Sequence, residues 1–221
     1  MNQNLEKYKD DDSIFRICGY LPFKHHFSDE YSQFKADRHI AWGIGTWKSK
    51  NAGYSNFLKR ENMHLLYEDK SLVKKLEKDN LEGILFSLVR MAKGGPILGD
   101  VIVAAYLVYS NSRCILPTKS MVRNHGWDGS GQHGGYVYGY KEQEICTNYD
   151  YVMNEAPAAF TEEFERKMHE NRRKYHTTPN EWLSFFSWYL YKYTGIYCEF
   201  KHIHDLGKKI KNTLKCQKKA K

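Results

Sequence analysis

The sequence is short of paired cysteines and of long apolar runs. Its five cysteines, Cys18, Cys114, Cys146, Cys198 and Cys216, lie far apart. They form no CxxC and no paired Cys/His spacing suited to tetrahedral zinc, and their number is odd, so the expected setting is a reducing compartment. The longest apolar stretch, Val101 to Tyr109, falls well short of the roughly 18–20 residues that span a bilayer. The first residues are polar rather than signal-like. Together these absences predict a cytoplasmic chain, neither secreted nor membrane-spanning. No internal repeat is found.

Net charge is also scarce over most of the length. The overall +8 is concentrated between Lys201 and Lys221, which hold eight lysines against one acid, Asp205; the first 200 residues carry only +1. Basicity is therefore a tail property. A lysine-rich end attracts a phosphate backbone or an anionic lipid surface, or is simply a solvated terminus. What is present in quantity is core material. With 41% hydrophobic residues in 221, the chain can bury a core as one domain, or one domain and an appendage.

Asn2 to Lys9 reads as the end of a polar helix and Ile14 to Tyr20 as a strand closed by Gly19. The strand needs neighbours on both sides, and nothing precedes it. Residues 21 to 40 read as loop, with His25 and His26 at the surface. Ala41 to Trp47 is an aromatic and glycine cluster that no amphipathic helix or regular strand would choose. Leu72, Val73 and Leu76, then Ile84, Leu85, Leu88 and Val89, have the spacing of one or two core-facing helices, stopped by Gly94-Gly95-Pro96. Asp100 opens a buried helix over Val101 to Tyr109, and a short strand follows around Cys114 to Leu116, ending at Pro117.

Gly126 to Gly139 holds six of the 16 glycines, among His125, Trp127, Asp128, Ser130 and His133, and reads as a polar loop. Thr161 to Tyr175 reads as a charged helix with Glu162 and Glu163 in its first turn and Arg172 and Arg173 in its last, as the helix dipole prefers. Trp182 to Tyr193 is apolar and aromatic nearly all round, suited to packing across the body or to lying at a lipid surface.

Two stretches are specific. Trp42-Gly43-Ile44-Gly45-Thr46-Trp47-Lys48 resembles the WGWGTWK stretch of bacterial, family-2-like glycosyltransferases with the GT-A fold. Pro117 to His133, PTKSMVRNHGWDGSGQH, resembles the PxxSLVxNxGxDGSGxH stretch of the same enzymes and, more distantly, the corresponding loop of animal N-acetylglucosaminyltransferase I. The resemblance runs in matching order from about Asn2 to His133 and fades beyond Gly135.

The resemblance implies an α/β fold: the C-terminal, acceptor-side portion of a GT-A-like mixed sheet flanked by helices. Residues 1–140 would form the partial glycosyltransferase domain, 141–200 a helical, aromatic-rich appendage and 201–221 a basic tail. It implies transfer of a sugar from a nucleotide-sugar donor to a glycan or lipid-linked acceptor in surface-polysaccharide synthesis. In the complete enzyme an acidic motif holds a divalent metal, manganese or magnesium. That motif lies in the family just before a helix resembling Met1 to Lys9, so the nucleotide-binding half, on the order of 100 residues, is expected to be missing and the chain alone inactive. Asp10-Asp11-Asp12 follows a charged helix rather than a buried strand and reads as a solvated turn instead of a substitute.

By the same resemblance, Asp100 is the candidate base that deprotonates the acceptor hydroxyl; an N-cap is the plain alternative. The loop from Asn124 to Gly135, with Gly126, Asp128, Gly129, Ser130 and Gly131, is the candidate lid on diphosphate and sugar. Arg123 either pairs with phosphate or is a strand-end charge. His133 is a late metal ligand or a loop histidine, unable to form a site alone. Trp42, Gly43, Gly45, Thr46 and Trp47 fall where the family lines its cleft, and tryptophan faces stack on sugar rings, though most tryptophans are core. Residues 182–221 are a candidate contact with anionic membrane at its inner face; nucleic acid is not an expected partner.

Two other classes compete. A non-catalytic basic module would bind anionic membrane or nucleic acid through its tail with steep salt dependence. A degenerate remnant would expose an open sheet edge and a halved core.

Overall fold

A computed structural model describes residues 1–78, 81–125, 143–147, 152–175 and 179–198. Among them the chain is mixed α/β, with a four-stranded sheet in the order β2-β4-β1-β3. The strands are β1 (Ile14–Cys18), β2 (Gln33–Ala36), β3 (Ile44–Gly45) and β4 (Arg113–Pro117). The helices are α1 (Asn2–Lys7), α2 (Lys48–Ser55), α3 (His64–Tyr67), α4 (Lys70–Lys78), α5 (Glu82–Ala92), α6 (Gly99–Ser110), α7 (Ala158–Tyr175) and α8 (Pro179–Thr194).

β1 is an inner strand, and every one of its residues is buried. It runs parallel to β4, with Ile17 opposite Ile115, and antiparallel to β3, with Ile17 opposite Gly45. The neighbours that a buried strand requires are thus supplied by later segments rather than by an earlier one. Beyond the two residues of β3, the carbonyls of β1 are met by side chains. Thr46 Oγ1 donates to the Phe15 carbonyl at 3.0 Å, and Lys50 Nζ donates to those of Ile14, Asp11 and Tyr8 at 2.9, 2.7 and 2.8 Å. A buried backbone oxygen without a partner is costly, and these contacts remove that cost.

Alternation along β4, and along β1 with an irregularity between Ile14 and Arg16, separates two cores. Phe15, Cys18, Cys114 and Leu116 join the larger one, with Leu72 and Leu76 of α4, Leu85, Phe86, Leu88 and Val89 of α5, and Ile102, Val103 and Leu107 of α6. Ile14, Ile17 and Ile115 join Tyr8, Leu5 and Trp47 under α1 on the other face. The apolar spacing that predicts one or two helices over Ser71 to Lys93 is realised as α4 and α5. Asp69 Oδ1 caps α4 by accepting the Leu72 N–H at 2.8 Å. α5 is C-capped by Lys93, which is followed by Gly94 at φ +102°. The run Val101 to Tyr109 lies within α6, which stops at Asn111 in the left-handed conformation, φ 51°.

Four sequence expectations need correction. Residues 21 to 40 are not all loop, since Gln33–Ala36 forms β2, paired antiparallel to β4 with Phe34 opposite Leu116. The glycine–tryptophan cluster contains a strand, the two residues of β3, held by pairing to β1 alone. α7 begins at Ala158, directly after Pro157, so its first turn contains no acid and Glu162 and Glu163 fall in the second. Asp100 is not an N-cap: that position is Leu98, and Asp100 lies in the first turn of α6. The Asp10–Asp12 turn is borne out, with Asp11 Oδ1 accepting the Ser13 N–H at 3.0 Å and its hydroxyl at 2.6 Å.

The later helices share the larger core. Phe160 and Phe164 of α7 pack on Phe34 and Phe27, and Thr161 Oγ1 donates to the Lys35 carbonyl at 2.6 Å. Trp188 of α8 is buried, its Nε1 donating to Glu77 at 2.8 Å. α8 lies along α5, while its Trp182, Phe186 and Tyr193 stay exposed. No described helix is long and apolar enough to cross a membrane.

Candidate functional site

Residues 43 and 121–122, one from each of the two stretches singled out in the sequence, meet at the end of β1. The Gly19 N–H donates to the Gly43 carbonyl at 2.8 Å, and the Met121 N–H donates to the Gly19 carbonyl at 2.8 Å. Gly43 has φ +64°, and a Cβ there would stand 3.1 Å from both Val122 methyls. A side chain at Gly43 would face a left-handed backbone penalty and a steric one. About 80 residues of intervening chain therefore return to one point, with Gly19 between residue 43 and residues 121–122.

Around this point the candidate residues differ in what they are free to do. Trp42 is 40% exposed and stands edge-on to Tyr20, ring centroids 4.9 Å apart. Trp47 is held beneath Lys50, with its Nε1 donating to the Leu5 carbonyl at 3.0 Å. Thr46 spends its hydroxyl on β1. Gly45 lies under α1, where a Cβ would meet Met1 Sδ at 2.7 Å. Arg123 donates to the Gln143 carbonyl at 3.0 Å, and Gln143 Nε2 donates in turn to the Phe23 carbonyl at 3.0 Å. Asn124 is half-buried. Gly126, Asp128, Gly129, Ser130, Gly131 and His133 lie outside the described residues, as does the tail 201–221.

Asp100 has a side chain 76% exposed, and its Oδ1 is 3.6 Å from His39 Nε2. The His39 contact is the main reason that the Asp100 carboxyl lies below its ordinary value; partial burial opposes this and the Arg16 charge adds to it. Asp100 is therefore ionised at neutral pH and has an open side toward solvent. Burial pushes His39 down, but Asp100 and Cys18 together push harder, and its net shift is upward.

A second constellation, invisible in the sequence spacing, lies immediately behind. Cys18 at the end of β1, Cys114 on β4 and His39 after β2 bring one ligand atom each to within 4.8 Å of one another. Both sulfurs belong to the larger core and are buried, and the His39 side chain is only 2% exposed. Neither His39 ring nitrogen has a hydrogen-bond partner within bonding distance. The thiols are polarised in opposite senses. Cys18 is lowered, first by the hydrogen bond from Cys114 and, against its burial, by His39 and the Ile40 N–H; Cys114 is raised by the same contact and by burial. Linear spacing gives no sign of this group, because it is the sheet that places positions 18 and 114 on adjacent strands. Strand prediction around both cysteines was the available clue, but His39 sits in a stretch read as loop.

This is the one group of three or more His, Cys, Asp or Glu donors found together among the described residues. It is rich in sulfur and does not fit manganese or magnesium, which want oxygen ligands. On the other face of the sheet, a cavity of about 610 Å³ is lined by Asn4, Ile17, Ile115, Met121, Val122 and Ile145 among others, and neither Asp100 nor Trp42 lines it. Comparison with family models, with curated proteins and with solved structures finds no match to this chain.

Proposed function

We propose that these residues are the acceptor side of a GT-A-like inverting glycosyltransferase that uses a nucleotide-sugar donor in surface-glycan synthesis. The observation that carries this reading is the meeting of the two family-like stretches at Gly19, which is hydrogen-bonded to Gly43 on one side and to Met121 on the other, each at 2.8 Å. Asp100 is the base. Its Oδ1 is turned to His39, which leaves Oδ2 to accept the proton of the acceptor hydroxyl. The resulting oxygen attacks the anomeric carbon as the bond to the nucleoside diphosphate breaks on the opposite side. Such base catalysis is worth about 10²–10⁴-fold. Trp42, with an exposed ring, offers a face for an acceptor sugar.

The described residues contain no oxygen-rich group for manganese or magnesium, so the donor and its metal would be held by other residues. Two measurements test the reading. Calorimetric titration of the 221-residue chain with UDP and manganese is expected to show no micromolar binding, and micromolar binding overturns the acceptor-side assignment. In an enzyme that includes the donor-binding half, Asp100→Asn is expected to abolish transfer and leave donor affinity nearly unchanged; retained turnover removes Asp100 from the mechanism.

A further inference from the structure

Three features outside the proposed mechanism ask for an explanation: the cavity under α1, the exposed aromatic face of α8, and the buried Cys18–His39–Cys114 group. The last has the most specific chemistry. We propose that Cys18, His39 and Cys114 form a binding site for one borderline-soft divalent ion of the zinc type. Two sulfurs and one imidazole nitrogen are its ligands, and the Asp100 carboxylate holds the imidazole from outside.

Four observations support the site. The three donors come from three separate segments and converge within 4.8 Å, so small side-chain rotations bring them to a common centre. Two thiolates and an imidazole are a donor set that selects zinc over the harder cations. A buried histidine whose ring nitrogens make no hydrogen bond is costly, and an ion bound at Nδ1, with the Asp100 carboxylate 3.6 Å from Nε2, lessens that cost. A carboxylate on the far nitrogen of a ligating histidine is a recurrent metal-site arrangement that fixes ring orientation. Binding is proton-balanced: each cysteine releases its thiol proton to solvent as its metal–sulfur bond forms, and the fourth tetrahedral position is filled by water.

The site stands apart from the glycosyltransferase reading, because its test needs no donor or acceptor. The full chain, reduced and freed of metal, is titrated with cobalt(II). The expected result is saturation at one equivalent, with sulfur-to-cobalt charge-transfer absorption and the intense visible bands of tetrahedral cobalt, all removed by one equivalent of zinc. Asp100→Asn should retain these bands and weaken affinity by about 10–100-fold. Cys146→Ser, Cys198→Ser and Cys216→Ser should leave them unchanged. Absence of the charge-transfer band in the wild-type chain overturns the proposal, and so does its loss in any of those three variants. Cys114→Ser should lose part of that absorption; a folded Cys114→Ser chain with an unaltered spectrum equally refutes the site. If that variant does not fold, the wild-type titration and the three control variants still decide.

Discussion

Gly19 and Gly43 touch backbone to backbone, the Gly19 N–H on the Gly43 carbonyl at 2.8 Å, with the Val122 methyls closing the space a side chain at 43 would need. Gly43→Ala therefore combines a left-handed backbone with a 3.1 Å contact. It should destabilise by about 1–3 kcal/mol. Gly195→Ala serves as a comparison: it has nearly the same φ, +70°, but nothing within 4 Å of the added carbon, so it isolates the backbone cost. Urea denaturation of both variants measures the steric part as the difference. Equal losses would show that Val122 yields freely and that the contact between the two stretches is slack.

Lys50 is the next point at which one residue closes a gap. Its ammonium donates to three carbonyls, of Tyr8, Asp11 and Ile14, and lies 4.0 Å from the Trp47 ring centroid. Burial pulls its pKa down, while Asp11, Asp12 and Asp10 oppose that pull. Lys50→Met keeps the stem and removes the donors, and should cost about 2–3 kcal/mol because partly buried carbonyls lose their partners. Lys48→Met, at an exposed position in the same helix, should fall within about 0.5 kcal/mol of wild type. Chemical denaturation compares them, and a small loss for Lys50→Met would mean that water replaces the ammonium.

Glu155 gives a pH dependence with a definite sign. Burial pushes its carboxyl up, but the Tyr8 hydroxyl and the charges of Lys35 and Lys7 outweigh burial, so its folded-state pKa is depressed. The unfolded state then binds a proton more readily than the folded state. The stabilisation is complete above the ordinary carboxylate range, about pH 4.3, and is lost as pH falls through the depressed folded value. Glu155→Gln should lower stability at neutral pH by on the order of 1–2 kcal/mol and flatten the acid limb of the stability curve. Denaturation midpoints across that range check it. A variant whose acid limb runs parallel to wild type would show that other carboxylates govern acid unfolding.

What the sequence discloses follows the reach of each interaction. α4 and α5 are legible because Leu72, Leu76, Leu85 and Leu88 repeat at helical spacing, and the capping Asp69 and the glycines after Lys93 are local too. α6 and β4 are legible as an apolar run and a strand ending at Pro117. β2 is not: Gln33–Ala36 is four residues long and owes its conformation to β4, about 80 residues on. β3 is shorter still, and its two residues are extended because β1 holds them. The candidate site divides in the same way. Asp100 and the Trp42 cluster are singled out by resemblance alone, whereas His39 and Cys114 become neighbours of Cys18 only through parallel pairing of β1 with β4 and the turn after β2.

The last described helix, α8, presents two different faces, and they separate two ways of meeting a membrane surface. Trp188 is packed inward, whereas Trp182 and Tyr193 are 72% and 75% exposed. Aromatic side chains at a lipid interface and lysines attracted to anionic headgroups are additive contributions, the lysines worth about 1 kcal/mol each near the surface. Co-sedimentation with phosphatidylserine vesicles should therefore fall when residues 201–221 are removed. It should fall again with Trp182→Ser and Phe186→Ser, which change no buried contact and should leave stability within about 0.5 kcal/mol. Both losses support a peripheral position at an anionic membrane. If deletion of the tail abolishes binding while the aromatic substitutions change nothing, and salt reverses it steeply, attraction is electrostatic alone, and α8 then serves the body through Trp188 and α5.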